Sequence, residues 1–429
     1  MSKKISIFWF RRDLRLEDNT ALSVALSSGK PVLPVFIFDE NILNELDRDD
    51  ARVAFIHQTM SNINTALKKF NSGVLCMHTT PEKAWKELMN KYDIENVFYN
   101  KDYEPYAKER DEKITALLEG NSIDVKSFKD SVIFEENDVL KNDGGAYTVY
   151  TPYKNKWLSL FKPELIEEQK CDFTKNLLEF SSDFLSLKDL GFTASDIEVM
   201  PYNLKHLDIY ADKRDFPSDD ITTYLGPHLR FGTVSVRKLI RGLNGLESVF
   251  LSELVWREFF TQILYHYPKV VTQNFRAKYD GIKWRNNQED FEKWCNGTTG
   301  YPMVDAGMRQ LNQTGYMHNR VRMITAGFLC KHLLIDWQWG EAYFAKKLLD
   351  YELASNNGNW QWAAGTGCDA APYFRIFNPI TQLKKFDKDF KYVRKWIPEF
   401  DGFDYPDPMV DHKTARERAL KVYKEGIEN

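Results

Sequence analysis

Cysteine is scarce in this chain, with five in 429 residues at positions 76, 171, 295, 330 and 368, and no C-x-x-C spacing. This pattern indicates neither a disulfide framework nor a cysteine zinc site, and it fits a reducing cytoplasm. Histidine is also sparse, and none of the eight pairs with another at ligand spacing. No metal site is expected. No P-loop, G-x-S-x-G or Ser/Cys–His constellation is visible. No G-x-G-x-x-G follows the first apolar run, so dinucleotide binding there is unsupported. No apolar stretch approaches the roughly 20 residues that span a bilayer. The N-terminal run ISIFWF is too short for a secretion signal and charges follow it at once. An enzyme without its own nucleophile or metal borrows its chemistry from an organic cofactor.

The length allows two domains with sizeable cores. Hydrophobic residues make up 43% and charged residues 28%, ordinary for a globular chain, while aromatics reach 14%. The net charge of −4 is unevenly divided. Residues 1–200 hold 26 Lys and Arg against 34 Asp and Glu, whereas 201–429 hold 32 against 28. An anionic partner should therefore prefer the second half. Eight of the eleven tryptophans lie there as well.

Periodicity divides the chain in the same way. Residues 5–10, 32–38, 73–78, 96–99 and 124–128 read as buried parallel strands, and 19–27, 51–70, 81–91 and 104–118 as amphipathic helices between them. Such alternation predicts an α/β domain with a doubly wound parallel sheet over 1–130. Residues 131–200 read as a connector, and 201–429 as an all-helical domain. Its helical runs cover 235–241, 247–267, 290–296, 304–313, 319–334 and 341–349.

The most informative stretch is 350–377, DYELASNNGNWQWAAGTGCDAAPYFRIF. Asn356 and Asn357 need hydrogen-bond partners if buried. Trp360 and Trp362 diverge at a wide angle if the segment is helical. The combination suits a wall for a flat molecule with polar edges. In ESVFLSELVWREFF, Phe250, Glu253, Trp256 and Arg257 share one helical face, compatible with a ligand-facing stripe or with a simple Glu253–Arg257 pair. In GYMHNRVRM, Arg320 and Met323 share a face and Arg322 points elsewhere; Asp350 is a natural partner for an inward arginine. Thr222 and Thr223 before Gly226-Pro227 could serve a phosphate, although most such turns are helix caps. Trp284, Trp294 and Trp337 are isolated, as core tryptophans usually are.

Seven blocks, FWFRRDLRLEDN, DYEPYAKERD, ELVWREFF, TGYPMVDAGMRQL, GYMHNRVRM, NNGNWQWAAGTGCDAAPYFRIFNP and DYPDPMVDH, stand in order from about residue 5 to about 420. Together they resemble the photolyase/cryptochrome family, closest to its class I branch specific for cyclobutane pyrimidine dimers. The resemblance implies an N-terminal antenna domain and a helical domain that holds FAD. It implies light-driven repair of UV-damaged DNA, or alternatively blue-light signalling of the cryptochrome type. By position, the FAD site would comprise Tyr210, Thr222, Thr223, Tyr224, Leu225, Gly226, Phe250, Glu253, Arg257, Asn319, Arg322, Asp350, Tyr351, Glu352 and Asn356. Asn356 would face flavin N5 and favour the reduced flavin. Trp360, Trp337 and Trp284 would form the chain that photoreduces it. Glu253, Trp256, Asn319, Arg320, Met323 and Trp362 would receive the flipped dimer, with Arg375 and Gln382 at the DNA rim. Glu253, and the absence of a histidine pair beside Asn319, point away from six-four lesions. Gly226 stands where a serine is more usual, Phe250 where a tryptophan is frequent and Glu352 where an aspartate is frequent. A second, antenna chromophore is also implied: methenyltetrahydrofolate, a deazaflavin or a flavin. Glu104 matches that pattern, whereas 269–279 shows no clear antenna-ligand signature. The protein is expected to act as a monomer, with no obligate protein partner.

Overall fold

The computed structural model describes residues 4–243, 245–246 and 248–428. The chain forms two compact units. The first comprises Met1–Val139, Trp157–Pro201 and Leu225–Leu246, and the second Leu140–Lys156, Tyr202–Tyr224 and Glu247–Asn429. The stretch 131–200 is thus not a free-standing connector. Its residues 140–156 belong to the second unit and the rest to the first. The segment 225–246 lies in the first unit although its local pattern is helical.

The first unit is built on five parallel strands: β1 (Ile5–Phe10), β2 (Val32–Asp39), β3 (Leu75–Thr79), β4 (Ile94–Asn100) and β5 (Asp124–Phe128). Their order is β3-β2-β1-β4-β5, so the winding reverses between β1 and β4. β1 and β2 are buried along their whole length, as central parallel strands covered on both faces must be. The edge strand β5 is largely exposed and carries charges. Helices α1 (Thr20–Leu26), α2 (Ala51–Leu67), α3 (Pro81–Lys91) and α4 (Pro105–Glu119) connect the strands. Asn19 and Asp50 cap α1 and α2 through their side chains, and α3 and α4 each begin on proline.

At the carboxyl ends of β1 and β4, where a nucleotide fingerprint is missing, there are ion pairs. Arg12 meets Asp102 at 3.0 Å and Glu104 at 3.2 Å, and Glu104 also meets Arg230 at 3.4 Å. A fully buried network nearby joins Arg15 to Asp130 (2.6 Å) and Arg237 to both Asp130 (2.8 Å) and Asp18 (3.0 Å). These arginines hold the Asp130 carboxyl below its usual range against the opposing effect of burial.

The second unit is helical. Its site-bearing helices are α5 (Val249–His266), α6 (Gln288–Asn296), α7 (Pro302–Thr314), α8 (Asn319–Gly327), α9 (Trp337–Lys347), α10 (Leu353–Ala364) and α11 (Pro379–Phe386). Glu247, expected at the start of α5, lies outside the described residues. The helix expected over 319–334 instead changes after Gly327 into a π-turn, Phe328–His332. This widened turn keeps Phe328 through His332 all buried. α9 begins four residues earlier than its apolar pattern suggested, because Asp336 caps it by accepting from the Gln338 N–H at 3.1 Å. A core of buried Trp294, Met303, Val304, Leu311, Phe328, Leu329 and Trp360 anchors these helices.

Candidate flavin and DNA-lesion site

α10 is the central wall. Glu352 precedes it and Gly365, at φ +85°, closes it. Both tryptophans are therefore helical, and neither of them lies on an extended strand. Glu352, Asn356, Trp360 and Ala363 form one stripe, and Ser355, Asn359 and Trp362 a second. The first stripe faces a cleft with about 600 Å³ of empty space, completed by Asn319, Arg322, Met323, Phe344 and Asp350. The second also faces an adjoining cleft of about 800 Å³, bounded by Arg214, Glu253, Trp256, Arg257 and Phe260. Asn319, Met323, Ser355, Asn359 and Trp362 line both, so the two clefts share a border.

Close helix packing makes this possible. A Cβ on Gly358 would sit 2.1 Å from the Phe260 ring of α5, and one on Gly340 would sit 2.1 Å from the Trp360 indole. Any side chain at either position would push a cleft wall outward.

The two asparagines find separate partners. Asn357 donates to the Val270 carbonyl at 2.9 Å, where Gln361 also donates at 3.0 Å. Asn356 donates through Nδ2 to Glu341 Oε1 at 2.8 Å and to the Glu341 carbonyl at 3.1 Å. With both amide protons used, Oδ1 remains as an acceptor for a ligand N–H. Burial pushes the Glu341 carboxyl up, and the Asn356 hydrogen bond opposes that shift. Glu341 was not anticipated; it is fifteen residues upstream, and no sequence periodicity connects it to Asn356.

Charges at the clefts are paired across helices. Arg322 meets Asp350 through two contacts, 3.2 and 2.9 Å, which is the partnership suggested for an inward arginine. Arg257 donates to Glu352 at 2.9 Å, and Glu253 accepts from Arg214 at 2.5 Å. The simple Glu253–Arg257 pair therefore does not form. Arg320 turns away to Asp215 at 2.7 Å and lies 4.5 Å from the Phe386 ring centre. His318 caps α8 at the Arg320 N–H, and burial pushes its pKa down to about 4.

Other expected residues line neither cleft. Tyr210 packs edge-on against Phe250 with ring centres 5.3 Å apart, and burial beside Glu253 pushes its phenol up to about 12. Within the 222–226 turn, Tyr224 adopts a left-handed φ of +52°, an uncommon state for an aromatic residue and one concentrated at ligand clamps. Leu225 and Gly226 open a short helix assigned to the first unit. Trp337 is buried and donates to Asn274 at 2.9 Å, and Trp284 stands edge-on to Tyr423 at 5.8 Å. Arg375 is exposed, and Gln382 Oε1 on α11 is buried without a hydrogen-bond partner. Among the described residues no group of acids, histidines or cysteines could hold a metal. No described helix is long and apolar enough to cross a membrane.

The clefts suit a flat, polar-edged ligand. Trp360, Phe344, Met323 and Leu348 supply apolar faces, and Asn356, Arg322 and Asp350 supply directional polar groups. The family description "FAD binding domain of DNA photolyase" matches residues 250–404, and "DNA photolyase" matches 6–171. The chain belongs to the DNA photolyase family. The deoxyribodipyrimidine photo-lyases of Agrobacterium fabrum and Escherichia coli are each 35% identical, covering 97% of this chain and 97% and 98% of theirs. A bacterial class III photolyase from Agrobacterium tumefaciens superposes with a TM-score of 0.91 at 34% identity, covering 100% of this chain and 99% of that one. A photolyase from Sulfolobus tokodaii, solved with two FAD molecules, superposes at 0.87 with 35% identity over 98% and 99% of the two chains. The Synechocystis cryptochrome, at 24% identity, shares the fold.

The Asn356–Glu341 pair gives a direct expectation. Glu341→Leu removes the side-chain acceptor and leaves only the backbone carbonyl to hold the amide, and Glu341→Gln retains a side-chain acceptor. Reduced flavin in the Leu variant should reoxidise in air about five-fold faster than in wild type, the equivalent of one hydrogen bond near 1 kcal/mol. The Gln variant should stay close to wild type. Stopped-flow absorbance after anaerobic reduction measures both rates, and identical rates for Leu and wild type would remove Glu341 from the site.

Proposed function

We propose that this protein is a deoxyribodipyrimidine photo-lyase that repairs cyclobutane pyrimidine dimers in UV-damaged DNA under blue light. The observation that carries this reading is the shared border of the two clefts, one walled by Asn356 and Trp360, the other by Trp256 and Trp362 with Glu253 between charged neighbours. A ligand in the first cleft would lie next to a flipped pyrimidine dimer in the second, with only the side chains that line both clefts at their border. FAD in its reduced form supplies electronic excitation and an electron that no side chain can. The protein's residues do the rest. Asn356 offers its carbonyl oxygen to a protonated ring nitrogen. Arg322 and Asp350 orient the polar edge, and Met323, Phe344 and Trp360 exclude water. Trp256 and Trp362 offer stacking faces to a lesion, which is cheaper to extrude than an intact pair. Glu253 keeps Oε2 as an acceptor for a pyrimidine N–H while Arg214 holds Oε1. Tyr210, Thr222, Thr223, Tyr224, Phe250 and Tyr351 complete the flavin site in this proposal. Trp337 and Trp284 extend the electron path from Trp360, and Arg320, Arg375 and Gln382 meet the DNA backbone. A second chromophore, and action as a cytoplasmic monomer, belong to the same proposal.

The test has two steps. Denatured protein should release close to one FAD per chain, and the illuminated, reduced protein should restore dimer-containing oligonucleotide but leave six-four photoproducts intact. A folded preparation that is colourless and cannot be reconstituted defeats the first step. Turnover of the six-four lesion alone defeats the second.

A further inference from the structure

We propose that Tyr150 is a positioning residue for lesion recognition, holding the Trp256 indole in its stacking orientation before DNA arrives; this rests on the assignment of Trp256 to the lesion cleft. Tyr150 begins the helix Tyr150–Leu160, far from α5 in sequence, and belongs with α5 to the second unit. Its ring lies on the Trp256 indole with centres 3.6 Å apart and planes inclined by only 7°. Aromatic pairs elsewhere in this chain are mostly edge-on or tilted at larger separations, such as Trp256 against Phe259 at 5.6 Å and 79°. A nearly parallel contact at van der Waals distance is not the arrangement ring quadrupoles prefer by themselves. Here it is imposed from both ends of the tyrosine. The phenol donates to the Ser252 carbonyl at 2.7 Å, one turn before Trp256 on the same helix. The Tyr150 backbone N–H donates to Asp369 Oδ2 at 2.9 Å, on the segment just after α10. The ring is pinned to the helix that carries Trp256 and to the segment that follows Trp362.

The consequence concerns entropy. A partly exposed tryptophan beside an open cleft would otherwise sample more than one rotamer, and ordering it on binding would cost affinity. With one face covered by Tyr150, an edge against Phe259 and the Phe260 ring inclined at 29° with centres 5.4 Å apart, the indole is held in one orientation at the border of the cleft. Tyr150 touches no substrate; it acts through Trp256.

A double-mutant cycle tests this on the full-length, FAD-loaded protein. Affinity is measured for oligonucleotides with and without a cyclobutane dimer, and the ratio of the two is the readout. Tyr150→Leu should lower that ratio about three- to ten-fold, with FAD content and affinity for undamaged DNA unchanged. Tyr150→Phe keeps the ring and the backbone hydrogen bond but loses the phenol's hold on Ser252, so its ratio should fall between those of wild type and Tyr150→Leu. In a Trp256→Ala background, Tyr150→Leu should have no further effect, because there is no indole left to position. If Tyr150→Leu lowers the ratio equally in both backgrounds, Tyr150 acts independently and the proposal fails. If Trp256→Ala lowers the ratio and Tyr150→Leu does not, the lesion cleft stands and the positioning role falls. If Trp256→Ala itself leaves the ratio unchanged, the lesion cleft is elsewhere and both readings fail. Should Tyr150→Leu not yield FAD-loaded protein, Tyr150→Met provides the same comparison.

Discussion

Replacing Trp360 by phenylalanine should abolish photoreduction of the oxidised flavin yet leave repair by chemically reduced protein nearly intact. Trp360 is 2% exposed and lines the first cleft, edge-on to Phe344 at 4.9 Å and near Trp294 at 6.1 Å. Phenylalanine preserves an aromatic wall with modest loss of volume, so the cleft should keep its shape. What it removes is an easily oxidised indole. In the proposed scheme activation would draw an electron through Trp360, whereas repair would use the reduced flavin directly. Illumination with an external reductant, followed by absorbance, measures the first process. Repair after dithionite reduction measures the second. Failure of the pre-reduced variant to repair would assign Trp360 a different role.

Trp256→Ala and Arg320→Ala should weaken DNA binding in separable ways. In the proposed lesion cleft the indole is a stacking face that only an extruded lesion would use, so on its removal preference for damaged DNA should drop by roughly 1–3 kcal/mol with little change in salt dependence. Removing Arg320 deletes a cation and leaves Asp215, its partner at 2.7 Å, unpaired. Damaged and undamaged DNA should then weaken together, and the slope of log affinity against log salt should shrink by about one unit if one phosphate contact is lost. Titrations at several salt concentrations separate the two. Equal weakening of both DNAs by Trp256→Ala would make that tryptophan structural.

Legibility from the sequence followed the range of the interactions involved. Strands β1 and β5 and helix α3 have the bounds their local patterns predicted, because short β-rich runs and Pro81 at a helix start act within a few residues. The 319–334 run could not reveal its π-turn, since packing of Phe328 through His332 into the core decides it. The division of 131–200 was equally hidden. Segment 140–156 packs with the helical unit through contacts such as Tyr150 on Trp256, about a hundred positions away.

The candidate site divides along the same line. Residue types and spacings alone determined that Arg320 and Arg322 diverge and that a borrowed cofactor was needed, whereas the helix that puts Asn356 and Trp360 on one face came from the structure. Only the tertiary structure decided which partner each polar group takes: Glu253 with Arg214, Arg257 with Glu352, Arg320 with Asp215 and Asn356 with Glu341. Helical spacing limits which residues can lie side by side on one helix. The choice of an ionic partner depends on which helices approach within about 3 Å, and that is settled by packing, including the missing Cβ atoms of Gly340 and Gly358.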